Sequence, residues 1–294
     1  MTSPPPLRVL FARTLAAFRR DYAPSMGAAL AFYTLFSLAP LLLTAMAVAG
    51  WWFGREVASG EVVAQLRGLL GDAGAQAVQA MLAAARDPAE SLPLALLGMA
   101  LTLLGAATMF GELQSTLDRI WQVPHRGGTT ALGRMLRARL RSFAMVLGAG
   151  LLLLVSLIAS AALARLTEGL AESPLQKLAL HGADLALGAV LTTVVFAAIY
   201  KLVPRARIAW RDVAIGAFAT AVLFSVGRLL LGLYIGRSGI SSGFGAAGSL
   251  VALVVWLHYS AQIFLLGAEF TWVYANACGS RRAGAAPAAP RLAG

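Results

Sequence analysis

Charge is scarce in this chain, and residues suited to redox or metal chemistry are scarcer. Only 13% of its 294 residues are Asp, Glu, Lys or Arg, about half of what an average soluble domain carries, roughly 25%. There is one cysteine, Cys278, so no disulfide forms within the chain, and a thiol without partners is better read as incidental than as functional. The three histidines, His125, His181 and His258, are scattered over a loop and two separate apolar segments. A metal-dependent hydrolase or nuclease needs its imidazole and carboxylate ligands clustered. No nucleophilic triad and no glycine-rich phosphate loop of the Walker type is present either. The expectation is therefore no catalytic residue, no metal and no cofactor: a protein that is not an enzyme, and in which any transport runs on a gradient, on a partner's energy or downhill.

Apolar sequence is abundant instead. Hydrophobic residues make up 59% of the chain, gathered into runs long enough to cross about 30 Å of hydrocarbon, which takes on the order of 20 residues. Six such runs are read: 26–53, 92–111, 143–163, 182–203, 213–234 and 249–274. The fold expected is an all-α, polytopic membrane protein, a bundle of six transmembrane helices. An N-terminal segment (1–24) precedes the membrane domain (25–276), and a disordered tail (277–294) rich in Ala, Pro and Arg follows it. The sequence Ala47-Val48-Ala49 resembles a signal-peptidase site, but the apolar stretch before it is longer than the roughly 7 to 15 residues of a signal peptide's core, so cleavage is not expected.

Basic residues set the orientation, because they accumulate in short cytoplasmic loops. Seventeen Lys and Arg fall in the N-terminal segment, the second and fourth loops and the tail, against six in the alternate loops. Both termini are expected to be cytoplasmic. The same residues account for the net charge of +11, which on a soluble protein would suggest nucleic acid. Here the partners expected are anionic lipid headgroups at the basic cytoplasmic loops, at about 1 kcal/mol per residue near the surface. No nucleic acid is expected.

On the other side, Val57 to Arg86 reads as two short amphipathic helices broken at Gly71-Asp72. They form a cap on the bundle or the outer membrane surface, and a docking face if a membrane or periplasmic protein binds. The glycine-rich stretch IGRSGISSGFGAAGS (235–249) reads as an outer loop, with a shallow re-entrant element as the alternative.

Polar residues inside the spans carry the functional question. In the last span His258, Gln262 and Glu269 fall on one side of a helix turning about 100° per residue. In the second, Gly98, Thr102, Gly105, Met109, Glu112, Thr116 and Arg119 follow a spacing of four and three, the pattern that permits close helix approach and interhelical hydrogen bonds. Glu112, Glu269, Gln262, His258 and Thr102 thus form a candidate intramembrane polar site. For the glutamates a substrate or proton role stands beside snorkelling or hydrogen bonding to a neighbouring helix, and for His258 a structural role is favoured over ligation. Asp184 and Arg228, comparable in expected depth, are candidates for a buried ion pair. Pro40 removes a backbone hydrogen bond in the first span and is expected to kink it.

The blocks AALAFYTLFSLAPLLL (28–43), LQSTLDRIWQVP (113–124), YKLVPRARIAWRDVAIGA (200–217) and GAAGSLVALVVWLHYSAQIFLLGAEFTWVYA (245–275), in that order, resemble the YihY/BrkB family of bacterial inner-membrane proteins over about residues 15–276. The resemblance implies six transmembrane helices, location in the bacterial inner membrane and the label of a virulence factor. It also brings an older label, ribonuclease BN, which the scattered histidines argue against. Three functions follow as expectations, in descending order: transport or lipid handling across the envelope, a non-catalytic scaffold or partner-binding component, and an intramembrane enzyme resting on Glu112, Glu269 and His258.

Overall fold

The structure, a computed structural model, describes residues 5–53, 76, 79, 105, 108–124, 174–237 and 246–282. All regular structure among them is helical. The helices are α1 (Leu7–Arg20), α2 (Ala23–Phe53), α3 (108–120), α4 (Pro174–Leu202), α5 (Trp210–Arg237) and α6 (Ala246–Ala277). Two described stretches are both long and apolar enough to cross a bilayer, Trp210–Tyr234 in α5 and Leu250–Ala277 in α6. Shorter apolar stretches, Ala23–Leu38 and Ala186–Leu202, lie in α2 and α4. The first, fourth, fifth and sixth expected spans each coincide with one of these helices. The third span, most of the second, and nearly all of 57–86 and 238–245 lie outside the described residues. In 57–86 only Gln76 and Gln79 are described, both helical and exposed. The tail from 283 also lies outside them.

Local sequence explains where the helices break. Asp21 ends α1 by donating its N–H to Ala17 O at 2.9 Å, and Tyr22 adopts a left-handed φ of 56° that turns the chain. Pro24 then sits in the first turn of α2, where a missing N–H loses no hydrogen bond. The helix continues through Pro40 to Phe53.

α5 and α6 meet in a reciprocal arrangement. The sequence Gly-x-x-x-Thr occurs once in each helix, at Gly216–Thr220 and Gly267–Thr271. Thr220 bonds its own helix through Gly216 O and Thr271 through Gly267 O, both at 2.7 Å. Each threonine also fills the space above the other helix's glycine, so that a Cβ on Gly216 would overlap Thr271 and one on Gly267 would overlap Thr220 and Tyr200. Bonding its own backbone leaves each buried threonine hydroxyl satisfied, so that its oxygen, with the methyl beside it, can lie against the opposing glycine. Tyr200 of α4 joins them, donating to Phe264 O at 2.6 Å and lying 3.2 Å from Thr220 Oγ1. Around this contact Leu117, Ile120, Phe196, Val213, Ala217, Leu265 and Ala268 form the main core.

The outer face of α5 is the opposite. Phe218, Val222, Val226, Leu229 and Leu233 are exposed at steps of four, four, three and four, a continuous apolar stripe along one side of the helix. Such a stripe is an aggregation surface in water and an ordinary lipid contact in a bilayer.

One end of the bundle is tied by polar contacts. Gln114 donates to Val203 O at 3.2 Å, and Asp118 accepts the Arg205 N–H at 2.7 Å. The Arg281 guanidinium donates to Arg207 O at 3.1 Å and stacks 5.1 Å from the Trp121 ring. Two of the sequence blocks singled out above, 113–124 and 200–217, therefore converge here with the segment that follows α6. Asp212, buried in the first turn of α5, accepts Ser280 N–H at 3.0 Å and Ser280 Oγ–H at 2.6 Å, fastening the turn after α6 to the start of α5. Asp212→Ala is expected to strand both donors and remove roughly 1–3 kcal/mol of stability, measured as an earlier thermal midpoint of the detergent-solubilised protein. An unchanged midpoint would show that this clasp carries no stability.

Candidate functional site

The site builds from the corner between α1 and α2. Arg20 and Asp21 stand at that corner, and the Arg20 side chain donates to both Asp21 carboxylate oxygens, from Nε at 3.0 Å and Nη2 at 3.2 Å. This two-point pairing holds a carboxylate more firmly than a single contact. The hydrogen bond raises the Arg20 pKa above its ordinary value, against the opposing effect of partial burial. Arg20 also lies 5.4 Å from the Trp272 ring of α6, within cation–π range.

Glu269 of α6 faces this corner. It is 0% exposed, and neither carboxylate oxygen has a hydrogen-bond donor. Its charged neighbours are Asp21 and Arg20. Since two ionised carboxylates are both acceptors, Asp21 and Glu269 bond to one another only when one carries a proton. A buried carboxyl group without a donor is costly in any fold. The arrangement therefore has room in its chemistry for a proton, a cation or a donor group arriving from outside the chain.

Two turns further along the same face of α6, Gln262 donates to Pro24 O at 3.0 Å and lies 3.4 Å from His258 Nε2. Gly27 makes this possible, because a Cβ there would stand 2.5 Å from Gln262 Nε2. Gln262 and Glu269 turn toward the start of α2 and the α1–α2 corner, with His258 beside Gln262. His258 is exposed at its position.

The stripe on the second span is visible from Gly105 onward. Gly105 packs on Ser37 of α2, and Ser37 Oγ lies 3.7 Å from Met109 Sδ. Thr116 is buried with no partner for its hydroxyl, Glu112 is half-buried, and Arg119 is exposed. Among the described residues no contact joins Glu112 to Glu269. Thr102 and the side chains of Pro40 and Asp184 lie outside the description, so the Asp184–Arg228 pairing does too. No group of three or more His, Cys, Asp or Glu suited to a metal ion occurs among the described residues.

Sequence reading missed Arg20 and Asp21 as partners of Glu269, because both lie where basic residues serve as a topology signal. Asp21 stands 248 positions before Glu269, so nothing in local spacing links them. The repeated Gly-x-x-x-Thr, by contrast, was there to be found.

Comparison with known proteins identifies the family. The family described as Virulence factor BrkB matches residues 14–292. A UPF0761 membrane protein of Pseudomonas paraeruginosa is 30% identical over 269 residues, covering 88% of this chain and 61% of the relative. Another, of Alkalilimnicola ehrlichii, is 28% identical over 265 residues, covering 88% and 56%. A third, of Psychromonas ingrahamii, is 40% identical over 83 residues, covering 28% of each chain. The chain spans about three fifths of the length of the first of these relatives. No solved structure matches. A match over nearly the whole sequence, with relatives named as membrane proteins, places this chain in the BrkB family as a membrane protein.

Proposed function

We propose that this is a non-enzymatic, six-span protein of the bacterial inner membrane, with both termini cytoplasmic, that moves a lipid or lipid-like amphiphile between leaflets. Glu269 is the polar group in its path. The observation that carries this reading is the burial of Glu269 without any hydrogen-bond donor for its carboxylate, in one of the helices long and apolar enough to span a bilayer. Ionisable groups inside membranes are costly, face the bundle interior and mark substrate or proton pathways. The neighbouring Asp21–Arg20 pair supports it, because a proton or a cationic headgroup moving through would meet alternating acceptors and a fixed positive charge. The basic residues on the same side support an encounter with anionic headgroups.

The test is transbilayer movement of fluorescent phospholipids in proteoliposomes, wild type beside Glu269→Gln. The expected result is movement above that of protein-free vesicles, reduced to the protein-free rate by the substitution. Movement absent from both would overturn the reading and favour a scaffold or partner-binding role. Movement that Glu269→Gln leaves intact would remove Glu269 from the path.

A further inference from the structure

α1 carries two apolar faces, and only one is used within the protein. Leu10, Thr14 and Ala17 are buried, with Leu10 and Ala17 packed in a cluster with Val273, Trp272, Ala277 and Cys278 at the end of α6. Rotating about 100° per residue, Leu7, Phe11 and Leu15 form a second stripe beside the first, exposed by 79%, 64% and 37%. Arg8 and Arg19, both exposed, border this stripe on the side away from the bundle. Ala12 and Ala16, also exposed, lie beyond them.

We propose that the Leu7–Phe11–Leu15 stripe inserts into the interface of the adjacent leaflet, with Arg8 and Arg19 bound to anionic phospholipid headgroups. Three observations select lipid as the occupant. The stripe borders a helix seated directly on α6, one of the two membrane-length stretches, so it adjoins the lipid-facing surface. The residues at its margin are cationic, the complement of an anionic leaflet, and apolar stripes so edged are how interfacial helices bind. Exposed aromatics stand at this end of two membrane helices, Tyr22 before α2 and Trp210 at the start of α5, as in the aromatic belts of membrane boundaries. The inference is independent of whether the protein moves lipid.

The experiment places an environment-sensitive fluorophore at Phe11→Cys or at Ala16→Cys, each with Cys278→Ser, in the full-length protein. Proteoliposomes are of phosphatidylcholine alone or mixed with phosphatidylglycerol. The expected result is a blue-shifted position-11 probe, quenched several-fold more strongly than the position-16 probe by lipids spin-labelled near the headgroup, and more so with phosphatidylglycerol. Arg8→Gln with Arg19→Gln should reverse the phosphatidylglycerol effect, each arginine being worth on the order of fivefold in partitioning. Equal aqueous accessibility of the two probes would overturn the proposal. So would shielding at position 11 that rises with protein density and is untouched by lipid quenchers, which would mean a second copy or another protein covers the stripe. Shielding identical in both lipid mixtures would overturn the headgroup assignment. Should the labelled variants fail to fold, native mass spectrometry of wild type beside Arg8→Gln/Arg19→Gln decides the matter. Retained phosphatidylglycerol adducts lost in the variant support the proposal, and equal adducts overturn it.

Discussion

Gly267→Leu is expected to abolish recovery of folded protein. A Cβ alone at this position would overlap Thr220 Oγ1 and Tyr200 Oη, and the neighbours cannot retreat. Thr220 is held to Gly216 O and Tyr200 to Phe264 O, and both side chains are fully buried. Overpacking in a closed core costs about 1–3 kcal/mol and more where the obstruction is itself hydrogen-bonded. Here the added side chain would also separate the two helices that, among the described residues, carry stretches long and apolar enough to cross a bilayer. The measurement is the monodisperse fraction after detergent extraction, together with the thermal midpoint of whatever is recovered. Gly267→Ala with Thr220→Ala should restore part of the loss, because the second change vacates the space that the first requires. A Gly267→Leu protein with wild-type yield and midpoint would show that the two helices do not approach as closely as described.

Glu269→Met is expected to do the reverse, raising stability while removing function. The natural side chain keeps a carboxyl group out of water with no donor for either oxygen, and methionine is flexible enough to fill the same space without polar atoms. A buried polar group left without a hydrogen-bond partner costs about 1–3 kcal/mol, which the substitution removes. Sites that work are commonly held below the stability their surroundings would permit. A higher thermal midpoint together with loss of phospholipid movement would identify Glu269 as kept for activity. A lower midpoint would mean that Glu269 supports the fold, and the transport reading would lose the observation on which it stands.

Much of the architecture was open to reading in the sequence, and the physical reason is the solvent. A bilayer leaves the backbone few options but helices, so apolar run length alone located α2, α4, α5 and α6, and polar residues inside those runs stood out. Glu269 was found for that reason, and its alignment with Gln262 followed from helical periodicity. What escaped were the features made by tertiary contact. Asp21 meets Glu269 only because Tyr22 takes a left-handed turn at the end of α1. Asp212 became a clasp only because the chain beyond α6 folds back on it. α1 falls in the N-terminal segment, where its four arginines among fourteen residues act as a topology signal and its apolar positions show their role only when packed on α6.

The reciprocal Gly-x-x-x-Thr contact also limits how this molecule can change shape. To slide one turn along α6, α5 would have to lift each threonine out of the other helix's glycine notch at the same moment, and the Tyr200 hydroxyl would have to leave Phe264 O. α4, α5 and α6 are therefore expected to travel as a single solid piece. Among the described residues, the face of α6 toward α1 and α2 lacks such a threonine interlock and is joined by apolar packing, Leu253 and Leu257 with Ala31 and Val273 with Leu10 and Ala17, together with Gln262 on Pro24 O and Arg20 over Trp272. Glu269 lies on that second seam, so any movement of α1 and α2 against this piece changes the surroundings of its carboxyl group.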